Sequence, residues 1–292
     1  MQHIALSTGI SLDVVTAGDP AHPAMIFLHG FPESHRTWRH QLPEFARDHF
    51  CIAPDQRGFA RSDKPKGVDQ YTPDKPVADL IALADHFGID RFTLVAHDWG
   101  GAIAWMAALQ QPGRIERLVI LNAPHPLIFQ RSVIDDPAQR AASQYIRAFR
   151  NPELESHIDR IGLEAFFDTS FAKHVDPALI APEKAAYLDQ WSQPGAITAM
   201  LNWYRASAIQ VPEMDEVISR PAFLDARFPP VTMPTLVIWG MQDRALLPCQ
   251  LEGLDALVPN LTVVRIEDAG HFVPWEKPEA VNAAIRDWLA AN

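Results

Sequence analysis

The stretch Leu94-Val95-Ala96-His97-Asp98-Trp99-Gly100-Gly101 decides the fold of this 292-residue chain. Apolar and β-branched residues at 92–96 predict a buried strand, and residues 100–111 predict a helix. Asp98 therefore lies in a sharp turn from strand to helix. Such a turn needs small neighbours, and it holds one side chain clear of the sheet, near the first N–H groups of the helix. Two interpretations follow: Asp98 is a reactive carboxylate, or it only caps the helix, since Asp is a favoured N-cap residue.

Strands and helices alternate on both sides of this turn. A hairpin is predicted over 3–16, and buried strands over 24–28, 50–53, 92–96, 117–121, 235–239 and 261–266. Helices are predicted from Ser34 through Leu42 and over 76–87, 100–111, 251–257 and 278–290. This alternation predicts an α/β fold with a mostly parallel sheet, flanked by helices and joined by right-handed crossovers.

The alternation stops between residues 125 and 225, where helical periodicity, aromatic residues and prolines occur without a convincing buried strand. It returns at residue 235. The sequence therefore predicts an α/β core formed by residues 1–124 and 226–292, with a helical cap inserted at 125–225.

Residues at the carboxyl ends of the parallel strands are the first candidates for a site, because ligands bind beyond these ends in open α/β sheets. Asp98, Asp243 and His271 each follow such a strand. A histidine acts as a base when a carboxylate fixes its tautomer, and Asp243 is placed to do this for His271. Asp55 also follows a strand, but we interpret it as loop structure paired with Arg57 or Arg61. Glu267 and Asp268 are interpreted as supporting or solvated residues.

The segment His29-Gly30-Phe31-Pro32 follows the first buried strand and supplies a second part of the candidate site. We expect the backbone N–H groups of Phe31 and Trp99 to converge on the oxygen of a tetrahedral intermediate at the Asp98 carbonyl. A tight turn alone would explain His29-Gly30 equally well, and the two roles are compatible. The sequence does not show whether the Phe31–Pro32 bond is cis.

Composition excludes several classes of function. The formal net charge of −11 and the pI near 5.5 argue against a nucleic-acid or anionic-membrane partner. Cys51 and Cys249 form neither a disulfide framework nor a metal-site spacing. The sequence has no signal-like N-terminus and no apolar run of membrane-spanning length. We therefore expect a soluble cytoplasmic protein; a homodimer is compatible with the sequence, which does not decide the oligomeric state.

The motifs His29-Gly30-Phe31-Pro32-Glu33-Ser34, His97-Asp98-Trp99-Gly100-Gly101 and Gly270-His271 resemble those of epoxide hydrolases in the α/β-hydrolase superfamily. The resemblance is to the soluble mammalian type and its bacterial relatives, and it covers nearly the whole chain. It implies the α/β-hydrolase fold with an inserted helical cap. The turn at Asp98 resembles the nucleophile elbow of this superfamily, with aspartate in the position usually held by serine. The sequence departs from the family's pattern at Ala60, which stands where a second glycine is common in the loop after Asp55.

The resemblance also implies two tyrosines on the cap that bind the epoxide oxygen. Tyr204, within Leu201-Asn202-Trp203-Tyr204-Arg205, matches one of them. Tyr145 matches the other, because it stands four residues before a Phe-x-x-Pro segment at Phe149. Either tyrosine could instead serve ordinary packing within the cap.

The implied reaction has two steps. Asp98 attacks an epoxide carbon while Tyr145 and Tyr204 donate hydrogen bonds to the ring oxygen, and water activated by His271 then hydrolyses the ester to a vicinal diol. No metal or organic cofactor is expected. The aromatic cap suggests a small apolar epoxide as substrate. The residues expected to line its pocket are Phe31, Trp99, Trp203 and Phe272, although Trp203 and Phe272 could equally be core.

Three other functions compete with this interpretation. A dehalogenase uses the same aspartate, acid and histidine, but haloalkane dehalogenases usually carry Asn or Glu in place of Phe31, and fluoroacetate dehalogenases carry Arg in place of Trp99. An esterase is disfavoured because no serine occupies the turn at residue 98. A non-catalytic ligand-binding protein on the same fold would be expected to lack one of Asp98, Asp243 and His271, and none of the three is missing.

Overall fold

The computed structural model describes residues 1–217, 219–225 and 227–292. Eight strands form one sheet in the order β1-β2-β4-β3-β5-β6-β7-β8. Their bounds are β1 Gln2–Ala5, β2 Ser11–Ala17, β3 Ala24–Leu28, β4 Phe50–Pro54, β5 Phe92–His97, β6 Ile115–Leu121, β7 Thr235–Gly240 and β8 Leu261–Ile266. The β1–β2 and β2–β4 pairs are antiparallel, and the remaining neighbours are parallel. The predicted mostly parallel sheet is thus confirmed.

Helices cover both faces of the sheet, and this explains why every residue of β4, β5 and β7 is buried. One face packs against α2 (Asp74–His86) and α3 (Asp98–Gln110). The other face packs against α1 (Gln41–Phe45) and the C-terminal helix, which spans Pro278–Ala291 and follows a short helix at Val273–Glu276. The site at the strand ends therefore stands on a core that is closed on both sides.

Two predicted helices are wrong in detail. The helix expected from Ser34 through Leu42 is a 3-10 turn, His35–Trp38, followed by α1. Ser34 caps the turn as predicted, accepting from the Arg36 amide at 3.3 Å, but Pro43 has no N–H to continue one helix through both parts. The helix expected over 251–257 is two 3-10 turns separated at Gly253, whose φ of 72° is left-handed.

The part of the chain between β6 and β7 contains only helices, turns and loops among its described residues. The helices are α4 Pro126–Asp135, α5 Pro137–Ala142, α6 Gln144–Arg150, α7 Leu154–Ile161, α8 Leu163–Ser170, α9 Pro177–Ile180, α10 Lys184–Trp191 and α11 Ala196–Ala206. We call α4 to α11 the helical segment. The division into a core and a cap at 125–225 remains a prediction, and residue 226, where the second core part was predicted to begin, lies outside the described residues.

Three aromatic side chains of the helical segment donate hydrogen bonds to loops of the sheet domain. The Tyr187 hydroxyl donates to Glu33 Oε1 at 3.0 Å, and the Trp191 indole donates to the Pro32 carbonyl at 2.9 Å. The Trp203 indole donates to the Arg57 carbonyl at 3.1 Å. Because all three acceptors lie just beyond β3 and β4, the helical segment is held over the carboxyl ends of these strands.

Asp55 does not pair with Arg57 or Arg61, contrary to the prediction. Its carboxylate accepts hydrogen bonds from the His35 amide at 2.7 Å and from His35 Nδ1 at 2.9 Å. Arg57 forms a buried ion pair with Asp79 at 2.6 Å instead, and Arg61 reaches Asp189 on α10. Asp55 therefore anchors the start of the 3-10 turn that follows Ser34.

His125 gives the folded protein a specific sensitivity to acid. It is fully buried, packs on the Trp105 ring and accepts a hydrogen bond from the Leu127 amide. Burial lowers the pKa of His125 to about 4, against about 6.5 in an unfolded chain. Between these values the unfolded state binds the proton more strongly, so the free energy of unfolding falls as the pH falls.

We expect His125 to contribute about 2 kcal/mol to the stability lost between pH 8 and pH 5. His125→Asn keeps an N-cap acceptor and removes the titration, so the variant should lose about 2 kcal/mol less than the wild type over this interval. Urea unfolding at both pH values measures the difference. His22→Asn provides the matched control, because it makes the same substitution at an exposed position. Equal pH dependence in His125→Asn and the wild type would contradict the assignment.

Candidate active site

Asp98 is the first residue of α3, and its backbone is in the left-handed region with φ of 51°. This conformation is costly for a residue other than glycine. It directs the carboxylate away from the sheet and toward the loop after β3. There Oδ1 accepts a hydrogen bond from the Phe31 amide at 2.7 Å, and the Trp99 amide also supports the carboxylate. The two predicted N–H donors are therefore both directed at Asp98.

The close approach of this loop to Asp98 requires glycine at position 30. A Cβ atom there would lie 2.2 Å from Asp98 Oδ1, far inside van der Waals contact. Gly100 is constrained in the same way, because its Cβ would lie 2.4 Å from the Leu28 carbonyl oxygen. The small residues around the turn are thus explained by contacts across the chain. The Phe31–Pro32 peptide bond is cis.

His271 stands between two carboxylates. Its Nδ1 lies 2.7 Å from Asp243 Oδ2, and its Nε2 lies 3.5 Å from Asp98 Oδ2. Asp243 is buried, and its Oδ1 accepts from the amides of Ala245 and Leu246 at 2.8 and 2.9 Å. The structure therefore brings the three predicted residues together, with His271 between Asp98 and Asp243.

Within this triad, the charge of each residue shifts the pKa of its neighbour. Burial disfavours the imidazolium of His271, but the charges and hydrogen bonds of Asp243 and Asp98 outweigh it and raise the pKa of His271 well above its usual value. Burial likewise disfavours ionised Asp98, yet the hydrogen bond and charge of His271 keep the pKa of Asp98 below its usual value. At neutral pH the free site thus contains a carboxylate beside an imidazolium.

Tyr145 on α6 and Tyr204 on α11 lie together over Asp98. Their ring centroids are 6.1 Å apart, and the Tyr204 ring also contacts those of Trp99 and Phe31, each at 5.1 Å. Burial, followed by the negative charge of Asp98, raises the pKa of both phenols well above the usual value. Both tyrosines are therefore hydrogen-bond donors at neutral pH.

A cavity of about 690 Å³ connects these groups. Seven of the predicted site residues line it: Phe31, Asp98, Tyr145, Tyr204, Asp243, His271 and Phe272. Phe272 also packs on Phe171, with ring centroids 4.9 Å apart, so its two predicted roles coexist.

Trp99 does not line this cavity, contrary to the prediction, and Trp203 takes the core position that the sequence left open as its alternative. The Trp203 indole points to the Arg57 carbonyl and its ring packs on Phe59 at 5.5 Å, so the side chain belongs to the core beneath the helical segment. The Trp99 ring packs between Trp203 and Tyr204, at 6.0 and 5.1 Å. Trp99 contributes its backbone to the site and supports Tyr204 with its ring.

Sequence reasoning missed three buried polar residues that support the triad. His97 Nε2 lies 2.8 Å from the His271 carbonyl oxygen, and its Nδ1 lies 3.6 Å from Glu33 Oε2. Asn122 donates to Asp243 Oδ2 at 2.8 Å from the end of β6. Asn122 had a usable signal, since it follows a parallel strand directly. No sequence signal indicates the contact between His97 and Glu33, because the two residues meet only through the pairing of β3 with β5.

The described ranges contain neither a membrane-spanning helix nor a cluster of metal ligands. No helix in them is long and apolar enough to cross a bilayer. No group of three or more His, Cys, Asp or Glu side chains within the same ranges is arranged to hold a metal ion.

Comparison with known proteins extends the resemblance found in the motifs. The family model of the alpha/beta hydrolase fold matches residues 23–278. The AB hydrolase superfamily protein YfhM of Bacillus subtilis is 35% identical over 97% of this chain and 96% of its own length. Epoxide hydrolase 3 of Xenopus tropicalis is 32% identical over 97% of this chain and 75% of its own length. The chain belongs to the epoxide hydrolase family of the α/β-hydrolase fold.

A solved structure agrees with this membership. It was described among novel epoxide hydrolases from metagenomes of hot environments, is 49% identical, and superposes with a TM-score of 0.92 over 100% of this chain and 98% of its own. The similarity to this epoxide hydrolase therefore includes the helical segment as well as the sheet. The family and the fold predicted from the sequence are confirmed.

The contact between Gly30 and Asp98 is open to a direct test. Gly30→Ala places a methyl group on the Asp98 carboxylate, so we expect the free energy of unfolding to fall by about 1–3 kcal/mol, as in other overpacked sites. Urea unfolding measures the change. Gly113→Ala is the matched control, because its added Cβ would meet nothing within 4 Å. Equal stabilities for the two variants would contradict the proposed close approach.

Proposed function

We propose that this protein hydrolyses small apolar epoxides to vicinal diols, with Asp98 as nucleophile and His271, oriented by Asp243, as base. The observation that carries the proposal is the shared cavity in which the Asp98 carboxylate, the imidazole of His271 and two protonated phenols face one another. The names of the relatives support the same reaction class. No step of the proposal calls for a metal ion or an organic cofactor.

In the first step a carboxylate oxygen of Asp98 bonds to one epoxide carbon, and the bond from that carbon to the ring oxygen breaks. The ring oxygen takes the electron pair and would leave as an alkoxide, which is a poor leaving group at neutral pH. Tyr145 and Tyr204 donate hydrogen bonds to this oxygen, and one of them transfers its proton. The product is a neutral ester between Asp98 and a hydroxyalkyl group.

Formation of this ester changes the acidity of the tyrosines at the moment when a proton is needed. The negative charge of Asp98 helps to keep the pKa of both phenols raised in the free enzyme. The ester carries no charge, so this contribution to the pKa disappears as the alkoxide forms. Proton transfer from a phenol is thus coupled to the bond that Asp98 makes.

In the second step His271 takes a proton from water, and the resulting hydroxide adds to the ester carbonyl of Asp98. The negative oxygen of the tetrahedral intermediate is stabilised by the N–H groups of Phe31 and Trp99, which already bind the carboxylate in the free protein. Collapse of the intermediate releases the diol and restores the carboxylate. The proton of the added hydroxide passes to the departing alkoxide, and His271 keeps the proton that it took from water, which restores the imidazolium of the free protein.

His271 becomes a base only after the first step. In the free protein the charges of Asp243 and Asp98 both raise its pKa. Ester formation removes the charge of Asp98, so the pKa of His271 falls, and the imidazolium gives up a proton that neutralises the tyrosinate left by the first step. Asp243 stays in place and fixes the tautomer that presents Nε2 to water.

A product assay separates this reaction from dehalogenation. Purified protein is incubated with aryl and alkyl epoxides, a haloalkane and fluoroacetate, and diol and halide are measured in the same samples. We expect diol, because the paired phenols can protonate an oxygen leaving group. We expect no halide, because Phe31 and Trp99 replace residues that dehalogenases usually carry. Halide without diol would contradict the proposal, and the absence of both products would favour a binding protein.

The tyrosines are tested by replacing each with phenylalanine. Tyr145→Phe and Tyr204→Phe should each lower kcat/KM for an epoxide by about 10-fold, and the double variant by roughly 100-fold or more, because the leaving oxygen loses its proton donors. Tyr71→Phe is the control, since Tyr71 is buried but donates to the Pro65 carbonyl outside the cavity. Unchanged kinetics in the double variant would remove the tyrosines from the mechanism.

The cytoplasmic location, the division into core and cap, and a homodimer remain predictions from the sequence.

Circular dichroism of all variants would establish that the kinetic changes above do not arise from misfolding.

A further inference from the structure

Gln139 is a fully buried glutamine on α5, in the helical segment. Its side-chain Nε2 donates to the Ala245 carbonyl at 2.8 Å and to Ser143 Oγ at 3.0 Å. Its Oε1 accepts from the Leu247 amide and from Gln250 Nε2, each at 2.9 Å. A side-chain amide has two N–H donors and an oxygen with two lone pairs, so the full hydrogen-bonding capacity of this side chain is used.

Most of these contacts are with the loop that follows β7. We call residues 243–247 the acid loop, because it begins at Asp243. Asp243 Oδ1 accepts from the amides of Ala245 and Leu246 at 2.8 and 2.9 Å, and the next amide along the chain donates to Gln139. Within the described ranges, no backbone carbonyl accepts from these three amides. The backbone of the acid loop is therefore held by two side chains, Asp243 within it and Gln139 on the helical segment.

The acid loop sets the position of the Asp243 carboxylate. Oδ1 is held by the two loop amides, and Oδ2 lies 2.7 Å from His271 Nδ1 and 2.8 Å from Asn122 Nδ2. In the proposed reaction this carboxylate fixes the His271 tautomer that presents Nε2 to water. A displaced loop would take its two N–H donors away from Oδ1, and the carboxylate would lose its alignment with the imidazole. Through the loop, Gln139 thus supports the group that orients the base.

The contact of Gln139 with Ser143 lies on the opposite side, at the start of α6. Ser143 is also held by the local backbone, because its amide donates to the Gln139 carbonyl at 2.9 Å and its own carbonyl accepts from the Ile146 amide at 3.0 Å. The start of α6, which carries Tyr145, is therefore fixed without the Gln139 side chain. In the proposed reaction Tyr145 serves ester formation and Asp243 serves ester hydrolysis. Loss of the Gln139 side chain should accordingly affect the second step more than the first.

We propose that Gln139 is a positioning residue for ester hydrolysis, because it holds the acid loop against α5 and so keeps Asp243 aligned with His271. The inference rests on the proposed function and adds a residue that controls its second step. Gln139 does not line the cavity, and it contacts neither the substrate nor the reacting atoms. It acts through the backbone of the acid loop.

The variant Gln139→Met tests this role, because it keeps the unbranched shape of the side chain and removes its four hydrogen bonds. The variant and the wild type, each in excess over styrene oxide, are quenched in acid at successive times, and ester and diol are quantified by mass spectrometry. We expect the rate constant for ester hydrolysis to fall about 10-fold, since a small displacement of a positioned group costs up to about 100-fold in rate. The rate constant for ester formation should stay close to the wild-type value.

Gln130→Met is the matched control. Gln130 is a buried glutamine on α4, outside the cavity, and its Oε1 and Nε2 bind the backbone of Gln210 at 2.7 and 2.9 Å instead of the acid loop. Its replacement should leave both rate constants unchanged. A second variant, Gln139→Asn, keeps the amide but draws it back from the acid loop by one carbon. It should slow hydrolysis as well, and it replaces Gln139→Met if circular dichroism shows that the latter does not fold.

Equal slowing of hydrolysis in Gln139→Met and Gln130→Met would assign the effect to a loosened helical segment and overturn the proposal. Equal slowing of ester formation and hydrolysis in Gln139→Met would overturn it too. So would an ester that is neither more abundant nor slower to decay than in the wild type, but diol formation would then leave the proposed function intact. If the wild type gave neither ester nor diol from any epoxide of the product assay, the proposed function and this inference would fail together.

Discussion

The carboxylate of Asp98 is held against the loop after β3, and the other features of the site depend on this contact. Asp98 takes a left-handed backbone conformation, and Phe31 donates its amide to Oδ1 at 2.7 Å. Only glycine at position 30 leaves room for this approach. The cost of an unfavourable φ is offset by the rigid sheet on which the turn stands. In the proposed reaction, the N–H groups that bind the resting carboxylate are then already in place for the oxyanion of the intermediate.

Charge links this contact to the remaining groups. Asp98 raises the pKa of His271 and of both tyrosines, so its conversion to a neutral ester alters all of them in the directions that the proposed reaction needs. The phenols become better acids and the imidazole becomes a base. His97, Glu33 and Asn122 hold the triad from beneath, where no substrate reaches. In the proposed reaction, the charge of this one carboxylate thereby sets the order of the two steps.

Much of this arrangement is predictable from the sequence, because it is local or follows from sheet topology. Asp98, Asp243 and His271 each follow a buried parallel strand, and the ends of such strands meet at one edge. Tyr145 and Tyr204 were found through motifs. The sequence does not decide whether Trp203 lines the cavity or belongs to the core, because the side of α11 that meets the cavity depends on how the helical segment docks. The partner of Asp55 and the contact of His97 with Glu33 depend on tertiary packing, which no local pattern reports.

The proposed reaction depends on a covalent ester at Asp98 that water activated by His271 then hydrolyses. Intact mass spectrometry of the His271→Gln variant, mixed with styrene oxide and quenched in acid, tests this most directly. We expect a mass increase of one epoxide, which a digest assigns to the peptide that contains Asp98, and no increase when Asp98→Asn is added. A His271→Gln variant that accumulates no adduct while still forming diol, or one that carries the adduct on another residue, would contradict it.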